Sequence, residues 1–138
     1  MSNSSIESML PLWQSYFDIQ FQFDAPLQGT AFAILTAWNP KSQPLSLAEN
    51  QQRNLALVEQ LTAQQLGFQR MNGGATDGSW FEPGFALFCS RQQAHKIAAH
   101  WQQNAIYWVE NGRLYLDPVL MASFSITELG EFADFIAS

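Results

Sequence analysis

The spacing of apolar residues changes several times along the chain, and each change marks an element. Ile6, Met9, Leu10, Trp13, Tyr16 and Phe17 recur at helical intervals, with Ser8 as candidate cap and Pro11 acceptable only in a first turn. The period then becomes two. Ile19, Phe21 and Phe23 alternate with Gln20 and Gln22, the mark of a half-buried strand. After a turn at Asp24–Gly29, the nearly all-apolar run Thr30–Ala37 reads as a strand buried on both faces, ended by Trp38-Asn39-Pro40. Ser46 and Glu49 form a capping box for a helix with Leu47, Leu55, Val58, Leu61 and Leu66 as its apolar face and Gly67 as its stop.

The second half repeats the alternation. A short strand at Phe68–Met71 leads into a flexible loop, Asn72–Gly78, and then a strongly apolar strand, Phe81–Cys89. Ser90 and Gln93 make a second capping box, and Ala94, Ile97, Ala98 and Trp101 form one helical face. Ala105–Val109 and Arg113–Asp117 are strands joined at Asn111-Gly112, a pair that tolerates the positive φ of a two-residue hairpin turn. Ser125 and Glu128 read as a third capping box, opening a final helix with Leu129, Phe132, Ala133 and Ile136 inward. The middle of the chain therefore has the order of an α+β, ferredoxin-like split βαββαβ core, with an extra strand and helix at each end. Nothing divides the chain, so residues 1–138 form a single domain.

Composition narrows the function classes. Charged residues are 13% of the chain, well below the usual roughly 25%, so amides and hydroxyls cover much of the surface. The formal net charge is −6, and the six Lys and Arg are scattered. A nucleic-acid binder needs a clustered basic stripe to displace counterions from phosphates, which argues against nucleic acid as partner. The absence of a basic-then-apolar leader and of a long apolar run argues against export and membrane insertion, and for a cytoplasmic protein. The Asn3-Ser4-Ser5 sequon is then accidental. The single cysteine, Cys89, lies in an apolar run and reads as a core residue rather than a nucleophile.

Little in the chain matches a known catalytic pattern. His95 and His100 stand roughly 140° apart on an ideal helix, so they cannot share a metal, and both read as surface residues. No metal set and no cofactor motif is legible. The loop from Gly73 to Gly78 lacks the lysine and hydroxyl of a phosphate cradle. The informative residues are polar ones where apolar ones belong. Asn54 falls within the apolar sector of the second helix, Asn50 at its edge, and Arg53 beside them. Glu82, framed by Trp80, Phe81 and Pro83, must either pair with a cation such as Arg53 or have a raised pKa. A short connection keeps Trp38 and Asn39 near that helix start. Trp38, Asn39, Asn50, Arg53, Asn54 and Glu82 are therefore the candidate ligand-binding residues.

The same segments carry a family resemblance. Thr36-Ala37-Trp38-Asn39-Pro40, Ser42 and Glu49-Asn50 form a first motif, Trp80-Phe81-Glu82-Pro83-Gly84-Phe85 a second, and Gln103-Asn104-Ala105-Ile106-Tyr107-Trp108 a third, with Tyr16 as a preceding aromatic. In that order, over Tyr16 to Leu116, they resemble the family of small, mainly bacterial proteins labelled domain of unknown function 3293. The chain departs from it at Gly84, where the family has serine, and at Trp101-Gln102, where it has phenylalanine and glycine. The resemblance implies no reaction, cofactor or partner.

The function is thus unknown from sequence. The reading is a small cytoplasmic non-catalytic or regulatory domain that binds a small polar ligand or a partner protein. One alternative is a small hydrolase or transferase acting on a polar metabolite with Glu82 as base. The other is a homodimeric adaptor that presents its many aromatics.

Overall fold

The computed structural model describes residues 2–137, with side chains from residue 7 onward. The inward placement of Ile6 and the Asn3–Ser5 sequon fall outside the side chains so described. The elements are α1 (Ser2–Ser15), β1 (Gln20–Gln22), β2 (Phe32–Leu35), α2 (Leu47–Ala63), β3 (Gly67–Gly74), β4 (Phe81–Phe88), α3 (Arg91–His100), β5 (Ala105–Glu110), β6 (Arg113–Pro118) and β7 (Thr127–Glu131). Short 3-10 turns occupy Pro40–Ser42 and Phe132–Phe135.

All seven strands form one antiparallel sheet in the order β1-β3-β4-β2-β5-β6-β7. Alternation along the strands sorts their side chains onto two faces. Ala33, Leu35, Phe85, Leu87, Ile106 and Trp108 pack with Leu57 and Leu61 of α2 and Ala94, Ile97 and Ala98 of α3. Phe32, Ile34, Ala86, Val109 and Leu114 face the other way, with Phe21 and Phe132. Both middle helices thus lie on one face of the sheet. Trp13 of α1 packs with Leu116 and Met121 in a third cluster at the end of the sheet.

The ferredoxin-like core with an extra strand and helix at each end is corrected by this architecture. What overturns it is a continuous seven-stranded antiparallel sheet, curled into a half-barrel and accompanied by three helices. The edges of the sheet approach one another. Phe21 of β1 bridges in parallel to Ile136, which follows β7 and its 3-10 turn. The Ala137 amide donates to the Phe21 carbonyl at 2.7 Å. The curled sheet thereby encloses its own second core, so no second layer of helices is needed.

Other expectations are corrected locally. The segment from Ser125 is β7 and a 3-10 turn, not a capped helix. Thr127 Oγ1 donates to the Ser125 carbonyl, and Gly130 takes φ +146°, while β6 offers an open edge for pairing. β3 runs on to Gly74, so much of the expected loop is strand, and only the turn before β4 remains. On α2, Leu47 and Leu55 are exposed, and the buried positions are Asn50, Asn54, Leu57 and Leu61. α1 starts at Ser2 and passes through Pro11, so Ser8 is not its cap. The capping boxes at Ser46/Glu49 and Ser90/Gln93 are both formed. Asn111 and Gly112 take φ of 54° and 73°, the expected hairpin turn between Glu110 and Arg113.

Candidate functional site

The concave face of the sheet is hollowed where β2 ends and β4 begins. Across the β3–β4 ladder, Glu82 stands opposite Gly73 and Gly84 opposite Met71. Glycines at two of these four positions leave that wall to the side chains of Glu82 and Met71. The backbone is closely fitted at Gly84, where a Cβ would meet the Leu35 carbonyl oxygen at 3.0 Å. The result is a cavity of about 540 Å³. Ile34, Tyr107 and Leu116 line it from the sheet, and Leu12, Tyr16, Asp18 and Ile19 from the end of α1 and the chain leading into β1. Trp38, Asn39 and Ser42 line it from the connection after β2, while Trp80 and Phe81, both exposed, lie at its rim. Its size and its mix of apolar walls with few polar groups suit a small organic molecule.

Glu82 is the distinctive group in this wall. Among the described residues its carboxylate has no hydrogen bond and no ion pair. Burial, with no compensating partner, pushes its pKa up to about 7. Of the two fates open to it from sequence, raised pKa and pairing with Arg53, the first is found. Burial, and to a smaller extent the nearby phenol Tyr16 and carboxylates Glu82 and Asp18, also raises the pKa of Tyr107, whose hydroxyl donates to the Tyr16 carbonyl at 2.6 Å.

Behind the cavity, amides fix the connection from β2 to α2. Asn54 Oδ1 accepts from the Ala37 amide at 3.0 Å, and its Nδ2 donates to the Pro83 carbonyl at 3.0 Å. The carbonyl of the residue next to Glu82 is therefore anchored to α2. Asn50 Oδ1 accepts from the Asn39 amide at 2.8 Å, and its Nδ2 donates to Asn39 Oδ1 at 2.7 Å. Arg53 donates to the carbonyls of Ala37 and Trp101, both at 2.6 Å, and burial lowers its pKa. These bonds hold a sharply folded connection, in which Asn39, Lys41 and Ser42 all have positive φ.

The six residues singled out from sequence thus occupy one region in two layers. Trp38, Asn39 and Glu82 line the cavity, whereas Asn50, Arg53 and Asn54 stand behind it and bond to backbone groups and to the side chains of Asn39 and Thr36. Tyr16, Asp18, Gln103, Asn104 and Tyr107 were not singled out, yet they line it too. Tyr16 hydrogen-bonds Ser42 Oγ at 2.6 Å, and Asn104 Nδ2 donates to Tyr16 Oη at 3.2 Å. The signal for most of them was present, because Tyr16 and the Gln103–Trp108 stretch belonged to the family resemblance.

A second polar cluster lies on the other face. Asp117 of β6 is buried and accepts from Arg91 Nε at 2.5 Å, and His95 Nε2 lies 2.8 Å from it. His95 is therefore tied to the sheet rather than a free surface residue. Cys89 is half-buried against the helix-side core, and burial raises its pKa. Among the described residues, no group of three His, Cys, Asp or Glu could hold a metal ion. Nor is any helix among them long and apolar enough to cross a membrane.

Comparison with curated proteins and with solved structures finds no match. Comparison with protein families matches residues 35–106, from the end of β2 through the first strand residues of β5. That span holds the connection, α2, Glu82 and part of the Gln103–Trp108 motif, and it is more than half of the chain. The chain belongs to the family described as protein of unknown function (DUF3293).

Proposed function

We propose that this protein binds a small organic molecule in the concave cavity, with Glu82 as the group that receives the ligand's polar end. The observation that supports this reading is an unpaired carboxylate in the wall of a cavity of about 540 Å³. Leaving a carboxylate desolvated and unpaired costs stability, so a structural role does not explain it. The amide layer of Asn50, Arg53 and Asn54 acts as the frame for Trp38, Asn39 and Glu82. The same reading makes the protein a bacterial cytoplasmic domain whose partner is a metabolite rather than nucleic acid.

The raised pKa of Glu82 favours one second reading, an enzyme in which Glu82 moves a proton at the bound molecule, since an acid–base group works best with a pKa near ambient pH. An adaptor built on aromatic residues is less favoured, because Phe21, Phe32, Phe85 and Trp108 are consumed in the two cores. The test is a thermal-shift screen against a metabolite library with the natural chain and Glu82→Gln. A ligand at 100 times its Kd raises stability by about 2.7 kcal/mol. A hit whose effect shrinks in Glu82→Gln supports binding, and turnover of that hit supports the enzyme. Hits insensitive to Glu82 count against both.

A further inference from the structure

The charge and hydrogen-bond character of the cavity restrict what it can take. Among the described residues, Asp18 and Glu82 are its charged lining residues, and no Lys, Arg or His is among them. Most of its side-chain donors are occupied, the Asn39 amide and the Trp38 and Trp80 indoles excepted. Asn104 Nδ2 is given to Tyr16, Gln103 Nε2 to the carbonyls of Trp38 and Trp101, and the Tyr107 hydroxyl to the Tyr16 carbonyl. Thr36 Oγ1 lies 2.8 Å from the Pro83 carbonyl. An anion entering here would meet carboxylates and few free donors.

A cation meets the opposite conditions. The Glu82 carboxylate is unpaired, and Asp18 uses Oδ1 for the amide and hydroxyl of Thr76. α1 ends beside the cavity, with Leu12, Ser15 and Tyr16 in the lining, so the negative end of that helix adds to the field. Trp38, Trp80 and Phe81 are among the lining residues, and aromatic rings attract ammonium groups. We propose that the ligand is an organic cation, a small primary or substituted amine whose ammonium group lies against Glu82 and whose apolar body fills the space toward Ile34 and Leu116. This inference rests on the cavity being a ligand site and adds the ligand's chemical class.

The titratable groups facing Glu82 across the cavity are Asp18, Tyr16 and Tyr107. A bound ammonium group stabilises the ionised form of Glu82, so near neutral pH binding releases a proton, and affinity rises between pH 5.5 and 8.

The test uses the full chain, with phenethylammonium and butylammonium as probes and 3-phenylpropionate, pentanoate, 2-phenylethanol and 1-butanol as matched anions and neutrals. Thermal shift and calorimetry at pH 5.5 and 8 are read for the natural chain and Glu82→Gln. The expected result is that an ammonium probe binds at least tenfold more tightly than its counterparts, more tightly at pH 8, and at least tenfold more weakly to Glu82→Gln. Equal or stronger Glu82-dependent binding of the carboxylates or alcohols overturns the cation while leaving the ligand site standing. Silence of the ammonium probes also overturns it. If the metabolite library is silent as well, the ligand site falls with it.

Discussion

At the scale of single residues, Glu82 in the cavity wall and Asn54 behind it do opposite work. Asn54 satisfies backbone groups at the ends of two strands, and removing it takes the partner from the buried Ala37 amide, while the Pro83 carbonyl keeps Thr36 Oγ1. Asn54→Ala is expected to lose about 1–3 kcal/mol in denaturant unfolding. Glu82 instead burdens the fold. Its pKa is about 7 against an ordinary 4.5, so the folded protein holds a proton that the unfolded chain gives up. Stability is therefore undiminished below about pH 4.5, falls as pH rises through 7, and is then level. At about 1.4 kcal/mol per pH unit the loss is at most roughly 3 kcal/mol. Glu82→Gln should flatten this slope and be the more stable protein at pH 8, which Tm measured at pH 5 and pH 8 will show. An unchanged slope would mean that Glu82 is ionised and solvated in the fold.

At the scale of elements, local chemistry was legible wherever a short stretch satisfied itself. The boxes at Ser46/Glu49 and Ser90/Gln93 close within one turn, and Asn111-Gly112 needs only two residues of positive φ. Gly112→Val should therefore lose about 1–2 kcal/mol, because a β-branched residue is strained at φ 73°. An unchanged Tm would remove this turn from the account. Ser125/Glu128 has the same residue spacing and does not open a helix. Its segment contains Gly130 and lies along the edge of β6, and tertiary pairing decided what the local pattern left open. The buried face of α2 was misjudged at Leu47 and Leu55 for a related reason. Asn50 and Asn54 face inward, as their place in the apolar sector and at its edge indicated, because the connection after β2 needs side-chain partners.

At the scale of the whole molecule, the curl of the sheet was not legible, and the cavity depends on it. Closure rests on residues far apart in sequence, chiefly the bridge of Phe21 to Ile136 and the burial of Phe132. Phe132→Ala should destabilise the protein by about 3–5 kcal/mol, the usual cost of a buried phenylalanine. Half of the candidate site could be read in advance, because Glu82 is a carboxylate in apolar company and a short connection keeps Trp38 and Asn39 near the start of α2. Asp18 could not, since only the curled sheet and the end of α1 bring it to the cavity, and Tyr107 was marked only by the family resemblance. The five tryptophans allow the central claim, a ligand held beside Glu82, to be tested directly. Trp38 and Trp80 line the cavity, while Trp101 and Trp108 belong to the core on the helix-covered face and Trp13 to the cluster under α1. Titration of the nitrogen-15-labelled protein with phenethylammonium, followed at the five indole N–H resonances, should shift Trp38 and Trp80 together to saturation and leave Trp101 and Trp108 in place. Shifts confined to Trp101 and Trp108, or no saturable shift at Trp38 and Trp80, would contradict it.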